Sequence, residues 1–273
     1  MGEQLPELVG LESVLQGMQH VAVAVSGGVD SLTLATFAHR LSPGRVSMFH
    51  AVSPAVPDEG TRRTREMAER QGWALQVIDA GEFDDANYRA NPVNRCFYCK
   101  SNLYGAIRPL TRAQIVSGTN LDDLGEYRPG LVAAREHGVR HPFVEAAMSK
   151  AKVRALAREL GLGDLADLPA SPCLSSRVET GIAIDPRVLA GIHAAERMLA
   201  DRLCASTVRC RVRGEAIVVE LDDDTLASLD EAARDAIGAS VQSIFSDTRA
   251  GMPVRFAPYR TGSAFLHVRS LER

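Results

Sequence analysis

The chain has no run of about 18 apolar residues, so no helix is expected to cross a membrane. No secretory leader is expected: Met1 to Gly10 is polar and slightly acidic, unlike a secretory signal. Pro6 stands where a myristoylation signal after Gly2 needs Ser or Thr. Basic excess is also missing. The formal net charge is −3, which argues against tight, nonspecific binding to a polyanion and leaves room only for a local basic face. Cysteines are few, five in 273 residues. That is too sparse for a disulfide framework and fits thiols kept reduced for metals or chemistry. Internal repeats and low-complexity segments are absent. What remains is a soluble globular protein, expected in the cytoplasm, with 45% hydrophobic and 24% charged residues. Its length suits one large domain, or an ordinary domain plus a small one.

The valine-rich run His20 to Val25 reads as a buried parallel strand broken by Gly27 and Gly28. Leu32 to Leu41 reads as a helix ended by Pro43-Gly44, Val46 to Val52 as a strand, and Thr61 to Gln71 as a charged helix. Further strands are expected at Ala74 to Asp79 and from Ile115. Ser149 caps a helix through Leu160, with Gly161 at its end. Strands alternating with helices predict an α/β fold, a doubly wound and mainly parallel sheet, over residues 1–185. Asp185-Pro186 then reads as an N-cap with proline at the first helical position. Thr207 to Arg213 alternates, with Val208, Cys210 and Val212 on one side and Arg209, Arg211 and Arg213 on the other. Gly214-Glu215 turns it into a partner strand, Ala216 to Leu221. Residues 186–273 therefore read as a small α+β domain.

Ser26-Gly27-Gly28-Val29-Asp30-Ser31 lies where a strand runs into a helix. Such a turn directs backbone N–H groups and the positive end of a helix at a small anion, and glycine lets the backbone approach closely. The Ser26 and Ser31 hydroxyls add donors. Asp30 would repel a phosphate unless it holds Mg²⁺. A bare Gly-Gly would be an ordinary tight turn, but the full hexapeptide resembles the PP-loop of the adenine-nucleotide α-hydrolases, which split ATP into AMP and pyrophosphate. The Walker A lysine is lacking, which excludes the usual γ-phosphate NTPase pattern.

Cys96 and Cys99 form a Cys-x-x-Cys pair, and Cys173 lies in Pro172-Cys173-Leu174-Ser175-Ser176-Arg177. Two thiolates and a remote third can hold three irons of a [4Fe–4S] cluster, leaving the fourth open. A redox dithiol, a zinc site or plain buried thiols compete with that reading. The redox alternative is disfavoured because the pair is not expected at the start of a helix following a strand. Cys210, alternating with valines, reads as core.

The order of four segments resembles the LarE family of ATP-dependent sulfur transferases, which build the nickel-pincer nucleotide. They are the hexapeptide, Gly118-Thr119-Asn120-Leu121-Asp122-Asp123-Leu124 with Tyr127-Arg128-Pro129-Gly130, Pro172 to Arg177, and Val208 to Arg213. The likeness runs from Val21 to about Ser263. It implies an enzyme that adenylates a carboxylate of pyridinium-3,5-biscarboxylic acid mononucleotide with ATP and Mg²⁺, releases pyrophosphate, and lets sulfur displace AMP. Two sulfur routes occur in the family: sacrifice of the cysteine matching Cys173, or a [4Fe–4S] cluster. Cys96, Cys99 and Cys173 together match the second. A PP-loop tRNA thiolase is the rival reading, but no RNA-binding module or basic surface accompanies it.

Ser26, Gly27, Gly28, Asp30 and Ser31 are accordingly expected to hold pyrophosphate and Mg²⁺. Ser53, Gly118, Thr119 and Asp122 or Asp123 follow strands at the edge of the sheet where nucleotides bind. Arg177 is expected to lower the Cys173 thiol pKa or to hold substrate phosphate. The resemblance assigns Arg211 and Arg213 to the substrate phosphate, although an arginine row on an alternating strand is usually solvated. Glu220 is a further candidate on the partner strand. Tyr259 to Ser263 resembles a family segment with no role assigned. The expected partners are a small-molecule nucleotide, a separate sulfur donor and further copies of the chain, with neither nucleic acid nor a membrane.

Overall fold

The computed structural model describes residues 6–125, 128–169 and 172–260. Tyr127 and the Thr261–Ser263 part of the C-terminal motif lie outside them. The chain divides into two compact units, Met1–Asp85 with Asn94–Ser171, and Ala86–Val93 with Pro172–Arg273.

The first unit contains α1 (Pro6–Gln16), β1 (Val21–Ala24), α2 (Val29–Leu41), β2 (Val46–Val52), α3 (Asp58–Gln71) and β3 (Ala74–Asp79). The short α4 (Ala86–Arg89) belongs to the second unit. The first resumes with α5 (Arg95–Ile107), β4 (Gln114–Ser117), α6 (Pro129–Glu136), α7 (Pro142–Glu145), α8 (Lys150–Glu159) and α9 (Gly163–Ala166). Its strands form one parallel sheet in the order β3-β2-β1-β4.

Both faces of that sheet are covered, which explains why β1 is apolar at every position. Val21, Val23, Met48 and Val116 point to a core shared with Leu11, Leu32, Phe143, Val153 and Leu156 from α1, α2, α7 and α8. Ala22, Ala24, Phe49 and Ile115 point the other way, toward Tyr104 and Ile107 of α5 and Ala134 of α6. Each such large apolar side chain contributes about 1.5–3 kcal/mol through burial. The expected doubly wound α/β sheet is therefore present.

The second unit has a 3-10 turn at Leu174–Arg177, then α10 (Pro186–Leu203), β5 (Val208–Val212), β6 (Ile217–Leu221), α11 (Asp223–Ser228), α12 (Glu231–Ile244) and β7 (Val254–Pro258). β5 and β6 are antiparallel, and β7 adds parallel to β6. The Asp185 side chain accepts from Arg187 N–H, as an N-cap before Pro186 should. The contact boundary precedes that cap because residues 172–184 are tied to 86–91. Asn91, fully buried at φ +54°, donates from Nδ2 to the carbonyls of Glu179 and Ile182, both at 2.9 Å. Glu179 N–H donates to Val212 O at 2.9 Å. Among the described residues, no helix is long and apolar enough to cross a membrane.

Cys96 and Cys99 open α5, and the element before it is the helix α4 rather than a strand, in keeping with the sequence expectation. One sequence expectation is corrected. The arginine side of β5 is not a solvated face: Arg211 is 5% exposed, because Glu220 of β6 neutralises it below the surface.

Candidate functional site

The strand order places a reversal at β1 and β4, and ligands of such sheets bind beyond the strand ends at that point. Two loops meet there. Ser26 N–H donates to Ser31 Oγ at 3.0 Å, the two serine hydroxyls are 3.1 Å apart, and Ser31 Oγ–H donates to Gly28 O at 3.1 Å. Gly27 takes φ +80°, and a Cβ there would stand 2.4 Å from Gly60 O. A Cβ on Gly118 would stand 2.7 Å from Ser31 N. Both glycines are thus required for the close approach of three backbone segments.

The helix that follows has no side-chain cap: Gly28 occupies the N-cap of α2. Ser149, Asp185, Asp222 and Asp230 cap their helices with a side-chain oxygen, whereas α2, like α3, α5 and α6, has none; α2 differs from those in starting from the glycine turn at the sheet's reversal. The first-turn N–H groups of α2 are left to solvent or a ligand. Asp30 and Ser31 lie in that first turn.

Asp30 is not isolated. Lys150 Nζ forms an ion pair with its Oδ2, and Asn120 Nδ2 approaches its Oδ1 at 3.4 Å. Asp122 Oδ2 accepts from Lys150 N–H at 2.7 Å, which ties the loop after β4 to the start of α8. Asp123 accepts from Asn120 N–H and pairs with Arg128 at 2.9 Å. Ser117 Oγ bridges Thr119 Oγ1 at 3.0 Å and His141 Nδ1 at 2.9 Å. Ser53 follows β2, where its Oγ accepts from Ala55 N–H at 3.3 Å, the geometry of a turn serine.

Sequence reasoning missed the support behind the loop. His50 of β2 is 1% exposed. Its Nδ1 lies 2.9 Å from Val25 O, which only accepts, so Nδ1 carries the proton; Nε2 then accepts from Thr61 Oγ1 at 2.9 Å. Burial pushes the His50 pKa down and keeps the ring neutral. Arg63 of α3 donates to Gly27 O at 2.6 Å. The Gly60-Thr61-Arg62-Arg63 stretch sits in a charged helix pattern, so only its single glycine hinted at a close contact. Lys150 lies 120 residues from Asp30 and carried no local signal.

Cys173 stands in the second unit, at the N-cap of the 174–177 turn, where its carbonyl accepts from Ser176 N–H and Oγ–H at 3.0 and 2.7 Å. Arg177 is buried rather than aimed at solvent. It forms a two-pronged pair with Glu196, at 3.0 and 3.1 Å, and donates to Pro172 O at 2.7 Å and Cys173 O at 3.2 Å. Glu196 Oε1 also accepts from Cys210 N–H at 2.9 Å. This guanidinium is a brace for the cysteine segment.

Arg211 donates to Glu220 Oε2 at 2.7 Å and to Ser176 O at 3.1 Å. Arg213 donates to Glu220 Oε1 at 3.0 Å, while its buried Nε–H has no hydrogen-bond partner among the described residues. Glu220, 1% exposed, balances both arginines. Arg213 is the more accessible of the two.

Cys96 and Cys99, three apart on α5, share one helical face and are half-buried. No disulfide joins any of the five cysteines. Cys204 is exposed. Cys210 is buried among the valines as expected, and burial pushes its thiol far above the ordinary range. Among the described residues, no three His, Cys, Asp or Glu side chains form a metal-binding group.

No family model matches the chain. It is 36% identical over 224 residues to an uncharacterised Synechocystis protein, covering 81% of this chain and 83% of that one. It is 26% identical over 215 residues to an uncharacterised Methanocaldococcus jannaschii protein, covering 77% and 81%. With the pyridinium-3,5-bisthiocarboxylic acid mononucleotide synthase of Lactiplantibacillus plantarum it shares 32% identity over 218 residues, 78% of each chain. That identity, sustained over more than two thirds of both sequences, makes the chain a member of the LarE family.

Proposed function

We propose that the chain is an ATP-dependent sulfur transferase that converts carboxylates of pyridinium-3,5-biscarboxylic acid mononucleotide into thiocarboxylates. The observation that carries the nucleotide half is the uncapped start of α2, framed by Gly27 and Gly118 at the sheet's reversal point. The substrate half comes from the relative that is named for the bisthiocarboxylic product.

A carboxylate oxygen of the substrate attacks the α-phosphorus of ATP, and pyrophosphate leaves. Loop N–H groups and the Ser26 and Ser31 hydroxyls bind the departing charge, where their dipoles stabilise it most. Asp30 offers an oxygen ligand of the hard type that the Mg²⁺ of Mg·ATP accepts. The acyl-adenylate then loses AMP to a sulfur nucleophile. Arg213, with a buried Nε–H to spare, is the better candidate for the substrate phosphate; Arg211 holds Glu220 and the Ser176 carbonyl.

Cys96, Cys99 and Cys173 are the proposed sulfur-handling set. The donor chemistry suits a [4Fe–4S] cluster: three thiols, none in a disulfide, two of them on one helical face. Bound there, the cluster would supply an iron position open to sulfide. Arg177 donates to the Pro172 and Cys173 carbonyls and so braces the backbone that carries the Cys173 thiol.

Anaerobic protein should contain about four irons per chain, and Cys96→Ser, Cys99→Ser or Cys173→Ser should each lower that content. Mass spectrometry before and after turnover with ATP and the pyridinium substrate reads the route. An unchanged protein mass with a thiocarboxylate product supports the set. Iron-free protein that loses the elements of H₂S from Cys173 replaces it with the sacrificial route.

A further inference from the structure

We propose that Lys150 is a phosphate-binding residue that also guards the metal-binding carboxylate, pairing with Asp30 until Mg·ATP arrives. The inference rests on the nucleotide half of the function above. Three observations support it. The Lys150 ammonium contacts Asp30, a member of the loop hexapeptide itself. Neither group is buried: the side chains are 33% and 25% exposed, so both face water and a ligand can reach them. The lysine backbone is held independently of its side chain, since Lys150 N–H donates to Asp122 Oδ2 and Ser149 caps α8.

The electrostatics require such a partner. A lone carboxylate beside the uncapped start of α2 would occupy the field meant for phosphate and repel an incoming triphosphate. An ammonium on Asp30 cancels that charge in the free protein. When Mg·ATP binds, Mg²⁺ is the stronger cation for Asp30 and displaces the ammonium. The four-carbon stem of lysine lets the head move to the phosphate oxygens without moving α8. No covalent step is involved. The positive charge stays in the site and changes partners. Asn120, 3.4 Å from the other Asp30 oxygen, limits rotation of the carboxylate during the exchange.

The mechanism predicts two effects of opposite sign from one substitution. Lys150→Ala should weaken binding of Mg·α,β-methylene-ATP and of magnesium pyrophosphate by about 10- to 100-fold, the loss of one charge-assisted hydrogen bond. It should leave AMP affinity within about threefold. The same substitution should tighten binding of Mn²⁺ alone by about 3- to 10-fold, because Asp30 loses its competitor. Lys150→Arg should recover part of the pyrophosphate affinity. Calorimetry reads the nucleotides, and the electron paramagnetic resonance of free Mn²⁺ reads the metal. Lys150→Gln serves as a second neutral variant, and thermal melts report the fold of all three.

Weaker pyrophosphate binding together with tighter Mn²⁺ binding supports the exchange. Unchanged pyrophosphate affinity in both folded neutral variants, or Mn²⁺ binding no tighter than wild type, overturns it. Failure of the wild-type protein to bind Mg·α,β-methylene-ATP overturns the nucleotide reading first, and the inference with it.

Discussion

Two loops of this protein are held in place by opposite means. The loop at Ser26–Gly28 is shaped by backbone and small residues: three glycines at close approach, two serine hydroxyls, and a neutral histidine behind them. Its charged groups, Asp30 and Lys150, stay partly exposed. The segment at Pro172–Arg177 is held by buried ion pairs, Arg177 with Glu196 and Arg211 with Glu220. The first arrangement leaves N–H groups for a ligand. The second has most of its charge satisfied internally, apart from Arg213 Nε. Function and stability should therefore separate differently in the two places.

The largest expected effect is on the second loop. Glu196→Ala strands Arg177 and removes the acceptor of Cys210 N–H, so it should cost about 3–5 kcal/mol, read as a shift in denaturant midpoint. Asp30→Asn breaks a part-exposed pair and should move stability by no more than about 1 kcal/mol while abolishing Mg·ATP binding. Equal stability losses in the two variants would remove the contrast.

Next comes Gly27→Ala. It forces a side chain into positive φ, about 1–2 kcal/mol, and adds overlap with the Gly60 carbonyl. The loop must shift, so nucleotide affinity should fall by at least about tenfold. Wild-type affinity in that variant would show that the loop geometry is unnecessary.

A smaller effect concerns pH. Burial lowers the pKa of His50 and His141 below 6.5 in the folded chain. Between the folded and unfolded values the unfolded chain binds more protons, so stability rises with pH there. The stabilisation is complete above about pH 6.5 and is lost as pH falls toward the folded values. Denaturant midpoints measured from roughly pH 5 to 8 should show this slope, and His50→Gln should flatten part of it. The smallest effect is chemical: an alkylating reagent should label exposed Cys204 quickly and spare Cys210, whose thiol is buried and hard to ionise.

Much of the first unit was legible because β1, β2 and β4 are short apolar runs that are largely buried, while the edge strand β3 stays mostly exposed. β2 and β3 begin and end where the alternation of glycine, charge and valine says they should. β7 was not legible: Arg255 and Pro258 weaken its pattern, and its partner β6 is joined to it through α11 and α12. The start of α2 was read three residues late, because glycine and aspartate look like turn rather than helix.

The candidate site divided in the same way. Ser26, Gly27, Gly28 and Ser31 declared themselves through local chemistry. Lys150 and His50 did not, because an ion pair across 120 residues and a hydrogen bond to a distant carbonyl leave no trace in spacing. Arg177 was noticed for its nearness to Cys173, but its commitment to Glu196 depends on α10. An arginine beside a cysteine reads the same in sequence whether it faces a ligand or a buried glutamate.

The glycine loop is proposed to serve adenylation of a carboxylate. Exchange of labelled pyrophosphate into ATP tests it most directly, with and without pyridinium-3,5-biscarboxylic acid mononucleotide. Exchange should require the pyridinium dicarboxylate and should be lost in Gly27→Ala and Asp30→Asn. Release of ADP and phosphate instead, or no exchange with the dicarboxylate present, would contradict it.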